Sequence, residues 1–282
     1  MPATRPLMPA QASPLWVLAA AIAWTIAVSL AVFSPWFPTE ALRALHQASD
    51  GWLHPTLVSA AVLGTGLFVL LLGPGRQRPA DIGLRRGALP PGLAATAVLW
   101  LAMNASTLIA ARADGLPLTL HPDWSQGGLV PGRLLAQLLG TALVEETVFR
   151  AWLWPQLALR LHRLVPRAGA WTVALLVSQG LFALLHVPMV LATAGPAALA
   201  GVLVNLFVVG LITALLYAAT RNLFFVVGLH ALGNAPTLLM EPHGPPPTLV
   251  MAGVAIVMAV GVVLARRHRG ASGGLRMTVA KG

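Results

Sequence analysis

Apolar residues run along this chain in long unbroken blocks rather than at every third or fourth position. Eight such blocks can be read, at 15–33, 56–72, 92–111, 133–154, 170–191, 198–219, 223–240 and 249–265. About 20 consecutive apolar residues are what a helix needs to cross about 30 Å of hydrocarbon. The pattern therefore predicts an all-α fold, a polytopic transmembrane bundle of about eight helices. Proline and glycine punctuate the connectors, as at Ser34-Pro35, Gly73-Pro74-Gly75, Pro90-Pro91, Gly195-Pro196 and 244–247. The first block is longer than the roughly 7–15 residues of a signal-peptide core, so it reads as an uncleaved helix.

Composition closes off the other classes. Of 282 residues, 57% are hydrophobic and only 9% charged, against about 25% charged in a soluble domain. A mean hydropathy of +0.79 agrees. Soluble and disordered readings are excluded. The net charge of +10 does not point to nucleic acid, because the arginines sit in short clusters between apolar blocks. Fourteen of the 18 basic residues, among them Arg76, Arg85, Arg160, Arg221 and Arg266, fall on one side if all eight blocks cross. Only Arg43, Arg112 and Arg133 fall on the other. That asymmetry predicts a cell (inner) membrane protein with both termini cytoplasmic. The absence of cysteine excludes disulfides and thiolate metal sites. Three regions follow: membrane helices over 1–130, a motif-bearing core over 131–240, and a last helix with a basic tail over 241–282.

Six of the eight acidic residues lie in connectors; only Glu145 and Glu146 fall inside an apolar block, with Arg150 close behind. A charge at mid-bilayer costs about 2.5–3.5 kcal/mol on insertion scales, so these groups must face protein or water. Glu146 and Arg150, spaced i, i+4, meet on one helical face and neutralise each other. Glu145 points about 100° away and is left as a free carboxylate, the natural general base. The only two histidines within blocks are His186, one turn after Phe182, and His230, one turn before Asn234. Counted at 1.5 Å per residue from the arginine-rich ends, Glu145, His186, His230 and Asn234 lie roughly 10–21 Å deep. Those depths are compatible with one shared layer in the cytoplasmic half, without fixing it. Taken singly, each has a structural reading: an interhelical hydrogen bond for the histidines and Asn234, an ion pair for Glu146 and Arg150, packing for Phe182. All of them nevertheless fall on only three blocks.

Those residues resemble the signature of the CAAX-protease and bacteriocin-processing family, also called the ABI or type II CAAX prenyl endopeptidase family. Its pattern is Glu-Glu-x-x-x-Arg, then Phe-x-x-x-His, then His-x-x-x-Asn or Asp, on separate transmembrane helices. It is met here by Glu145, Glu146 and Arg150, by Phe182 and His186, and by His230 and Asn234. Asn205, Gly210 and Tyr217 also stand where family members show similar residues. The resemblance covers roughly 130–240 and implies an intramembrane endopeptidase. Family substrates are prenylated CAAX peptides in eukaryotic members, while bacterial members are tied to peptide maturation or bacteriocin self-immunity.

On that reading Glu145 activates a water, His186 holds it, and His230 with Asn234 stabilises the oxyanion. Glu146 and Arg150 orient their helix, and Phe182 shapes the wall. A metal version is open at the level of sequence, because Glu145, His186 and His230 form a zinc-type set, although no His-Glu-x-x-His motif preorganises them. The expected partners are a membrane peptide or protein substrate and the lipid bilayer, not nucleic acid. Two rival readings are a non-catalytic scaffold or immunity protein and a proton-coupled transporter; no internal repeat supports the latter.

Overall fold

The computed structural model describes residues 11–279, and its regular structure is entirely helical among them. Helix α1 (Leu15–Val32) is followed by a short α2 (Thr39–Ala48) and by α3 (Pro55–Leu72). After two 3-10 turns comes α4 (Leu89–Ala113). The helical path α5 then runs over 129–161, passing through two π-helical stretches, Gln137–Thr141 and Glu146–Leu153. It is followed by α6 (Arg167–Leu184), α7 (Val187–Thr193), α8 (Leu199–Thr220), α9 (Leu223–Asn234) and α10 (Pro247–Val279). Arg5 and Lys281, which contribute to the expected charge asymmetry, lie outside the described residues.

Local chemistry sets the boundaries. Pro14 and Pro166 precede α1 and α6, where a missing N–H costs nothing. Asn222 caps α9, its carboxamide oxygen accepting from the N–H groups of Phe224 and Phe225. Pro236 stands two residues beyond the end of α9.

Among the described residues, six helical segments are long and apolar enough to cross a membrane, including Leu15–Val32, Pro55–Leu72, Pro79–Ala113 and Pro196–Thr220. The blocks expected as fourth and seventh spans are not in that set. The fourth carries Glu145, Glu146 and Arg150 in its interior and is broken at Gly140, whose φ of −117° and ψ of −106° are not helical. The seventh ends at Asn234, six residues short of the expected 240, leaving 12 helical residues.

α5 is the axis of the bundle. Glu146, Thr147, Arg150 and Trp152 are all essentially inaccessible, and α3, α6 and α9 pack around them. Small residues let the helices close: a Cβ at Gly92 would stand 2.4 Å from Phe224 Cβ, and one at Gly228 would collide with Thr96, which locks α4 against α9. Outward faces stay apolar, with Val204, Ile109 and Val257 more than three-fifths exposed, as lipid contact requires.

The connectors gather at two ends. At one, Arg160 donates to Ser13 O, Arg266 to the carbonyls of Ala219 and Thr220, and Asn222 to Ala88 O. At the other, Gly128 N donates to Asp50 O, and His121 N to Leu239 O. The first end is the arginine-rich one.

Candidate active site

The two π-helical stretches flank Glu145. A π turn carries an extra residue and redirects the side chains after it, which is why such turns recur at functional sites. The break at Gly140 has a packing cause: a Cβ there would stand 2.9 Å from Ala60 Cβ on α3. α5 therefore leans on α3 at a point where only glycine fits.

Below the break Glu145 faces inward. Its Oε1 lies 3.8 Å from His186 Nε2, and its Oε2 lies 3.8 Å from His230 Nε2. A carboxylate aimed at lipid, or one more than ten ångströms from both rings, would have removed any shared chemistry. Both imidazoles are oriented through their other nitrogen. His186 Nδ1 is 2.7 Å from the carbonyl oxygen of Phe182, which can only accept, so Nδ1 carries the proton. His230 Nδ1 donates to Glu146 Oε1 at 2.8 Å. Both Nε2 atoms are thereby turned toward the Glu145 carboxylate. A separation of 3.8 Å exceeds a direct hydrogen bond but is spanned by one bridging water.

Glu146 and Arg150 are buried beside this group. Glu146 Oε2 and Arg150 Nε are 3.3 Å apart, yet neither atom completes a hydrogen bond, so they attract as charges. The Arg150 guanidinium lies 4.1 Å above the Phe182 ring, a stacked cation–π contact. Phe182 also meets Phe149 and His186 edge-on. Gly210 admits α8 here, since a Cβ would stand 2.9 Å from Gln179 Oε1 and 3.4 Å from Arg150 Nη2.

Glu146 therefore does more than the ion pair expected of it. It orients His230 as well as pairing with Arg150. Asn234 lines the same cavity as Glu145 and the histidines, but its Nδ2 donates to Gln137 Oε1 at 3.0 Å. Gln137 escaped the sequence reading because it is uncharged; an amide inside an apolar block was the available signal. Asn205 is exposed on α8 and Tyr217 is buried in the hydrophobic core, neither at the site.

The cavity holds about 530 Å³. Its floor is Glu145, His186, His230 and Asn234, and its walls are mainly apolar, including Leu63, Leu67, Met189 and Leu206. It also reaches Phe37, Pro55 and Thr56, at the arginine-poor end. Glu145 itself stands midway along 129–161. The layer read as lying in the cytoplasmic half is thus central, and the cavity above it extends toward the arginine-poor end, because depth counting gives a level but not the side a cavity faces.

Two imidazoles and a carboxylate are zinc-type donors, and tethered Nδ1 atoms suit ligands. Yet among the described residues no three His, Cys, Asp or Glu side chains are grouped to hold one ion. Each imidazole faces a different oxygen of Glu145. As placed, the residues do not form a metal cage, so no step is derived through one.

Residues 128–236 match the family described as type II CAAX prenyl endopeptidase Rce1-like. This segment, about two-fifths of the chain, is similar to that family. The Rce1-like segment contains α5, α6, α8 and α9, and with them every motif residue of the site. No curated protein and no solved structure matches the chain. The similarity of this segment and the six apolar helices together fit a multi-pass membrane protein.

Proposed function

We propose that this Rce1-like protein hydrolyses a peptide bond of a membrane-associated peptide or protein with a water activated by Glu145. The observation that carries the reading is the convergence of His186 Nε2 and His230 Nε2 on the two oxygens of one carboxylate, at 3.8 Å each.

The water donates one hydrogen bond to Glu145 and one to His186 Nε2. Glu145 takes a proton as the water oxygen bonds to the scissile carbonyl carbon. The resulting oxyanion accepts hydrogen bonds from Asn234 and from the Nε2–H of His230, which enters and leaves the step with both ring nitrogens protonated, its Nδ1–H held by the Glu146 carboxylate. The C–N bond then breaks, and the proton on Glu145 passes to the leaving nitrogen, giving a carboxylic acid and an amine. Glu146, Arg150 and Phe182 act through the histidines, as positioning residues. The apolar walls suit an extended hydrophobic segment drawn from the bilayer. The arginine-rich end faces the cytoplasm of the cell (inner) membrane.

The test uses the full chain in lipid nanodiscs with an internally quenched hydrophobic peptide. Wild type cleaves it, while Glu145→Gln, folded to the same melting temperature, loses at least about 10³-fold in rate. Cleavage by Glu145→Gln at the wild-type rate overturns the reading. Full activity after exhaustive chelation removes the metal version, whereas loss restored by zinc overturns the metal-free one.

A further inference from the structure

The corner between α8 and α9 gathers three arginines from separate parts of the chain. Arg221 is the corner itself, between Thr220, where α8 ends, and Asn222, which caps α9. Asn222 Nδ2 donates to Ala88 O at 3.0 Å and so brings in the turn that carries Arg85. A Cβ at Gly83 on that turn would stand 3.0 Å from Leu223 Cβ and 3.2 Å from Ala151 Cβ. The turn is therefore wedged between α9 and α5. Arg266 reaches over from α10 and donates to Ala219 O and Thr220 O, both at 2.6 Å. Arg85 and Arg221 both lie within electrostatic reach of the Tyr217 phenol, and Arg221 within reach of Arg266. All three arginines are half-buried.

Orientation in a membrane accounts for arginines being plentiful at this end, but not for three of them sharing one corner. Arg221 also holds a φ of +52°, a left-handed conformation that glycine adopts more easily. Such strained residues recur where a ligand is clamped. Among the described residues of these segments the one acid is Asp81, whose Oδ2 accepts from Arg78 N. Three arginines against one carboxylate favour an anion. Donors remain for it. Arg85 donates only through Nε, to Ala80 O at 3.3 Å, and among the described residues neither of its Nη groups meets an acceptor. Arg266 keeps its Nε–H.

We propose that this corner binds the phosphate of an anionic phospholipid in the leaflet at the arginine-rich end. Guanidinium forks match phosphate oxygens, and basic pockets between membrane helices at this level hold lipid headgroups. The surroundings favour a lipid over free phosphate. Leu89, Leu215 and Leu264 are exposed on α4, α8 and α10, the helices that begin or end here, and acyl chains cover such residues. A headgroup bridging Arg85, Arg221 and Arg266 ties the turn before α4 to the end of α8 and to α10. It thereby braces the start of α9, which presents His230 about 12 Å further on. The site stands whether or not the peptidase chemistry does.

Native mass spectrometry of the full chain, released from phosphatidylcholine nanodiscs doped with phosphatidylglycerol, tests this. Wild type is expected to retain phosphatidylglycerol and to melt at a higher temperature in the doped discs. Arg85→Gln weakens retention about fivefold, and Arg85→Gln with Arg221→Gln about 25-fold. Arg85→Lys keeps most of it. Arg163→Gln, the same change of charge at an exposed position elsewhere on this end, leaves retention unaltered. Equal losses in Arg163→Gln and Arg85→Gln would show general attraction to a negative surface and overturn the site. Absence of retention by wild type, or retention untouched by both corner variants, overturns it as well. So does inorganic phosphate that stabilises wild type in pure phosphatidylcholine as much as the lipid does, since it assigns the corner to a free anion. A second measurement needs no variant. A photoreactive phosphatidylglycerol headgroup is expected to cross-link within 80–88, 217–223 or 262–267 of wild type, and cross-links confined to other segments overturn the proposal.

Discussion

His230 Nδ1 donates to Glu146 Oε1 at 2.8 Å, joining α9 to α5 across 84 positions of sequence. The other oxygen of the same carboxylate faces Arg150. One buried acid thus sets the direction of an imidazole and balances a buried guanidinium, with Phe182 stacked on that cation.

Separating the two duties of Glu146 is feasible because they respond to different variants. Glu146→Ala leaves Arg150 buried and unpaired, a loss of about 3–5 kcal/mol, read as a large fall in melting temperature. The double variant Glu146→Leu with Arg150→Met replaces the ion pair by apolar groups and is expected to recover most of that stability. Its cleavage rate should stay low, since His230 Nδ1 no longer has its acceptor. A stable double variant with wild-type turnover would sink the positioning role.

Ranking the floor residues gives a second measurement. Glu145→Gln is expected to be most severe, His186→Ala and His230→Ala to lose about 10²–10⁴-fold in kcat, and Asn234→Ala about 10²-fold. Stopped-assay turnover on one peptide, with each variant checked for its melting temperature, supplies the order. Asn234→Ala falling below Glu145→Gln would reverse the assignment of base and donor.

At Gly140 the packing argument is open to a double-mutant cycle. Gly140→Ala brings a Cβ to 2.9 Å from Ala60 Cβ, and such overpacking costs about 1–3 kcal/mol. Ala60→Gly on α3 removes the opposing methyl and should return part of that loss. Additive thermal shifts in the two single variants and the double would mean that the break has another cause.

The apolar walls predict a binding effect rather than a chemical one. Leu206→Trp fills the cavity on the side of α8 and is expected to raise KM severalfold with kcat little changed. A fall in kcat at constant KM would instead place Leu206 in the reacting geometry.

Much of this was legible in the order of residues, for a reason particular to membranes. Lipid offers no hydrogen bonds, so an apolar run of span length has to be helical, and the blocks at 15–33, 56–72 and 198–219 reappear as α1, α3 and α8. The same hostility to charge made Glu145, Glu146, Arg150, His186 and His230 conspicuous wherever they stood. Uncharged Gln137 gave no such signal. The end of α9 at Asn234 was masked by hydrophobicity that continues to Met240, although Pro236 marks it in the sequence.

Membrane residence, helical class and the set of ionisable groups sealed inside the bundle were written in the chain, because each depends on solvation of single residues or of short segments. Which oxygen of Glu146 meets His230, how Gly140 against Ala60 bends α5, and toward which end the cavity opens depend on contacts between helices far apart in sequence. Those relations are set by how side chains of particular shapes interlock, and no local pattern encodes them.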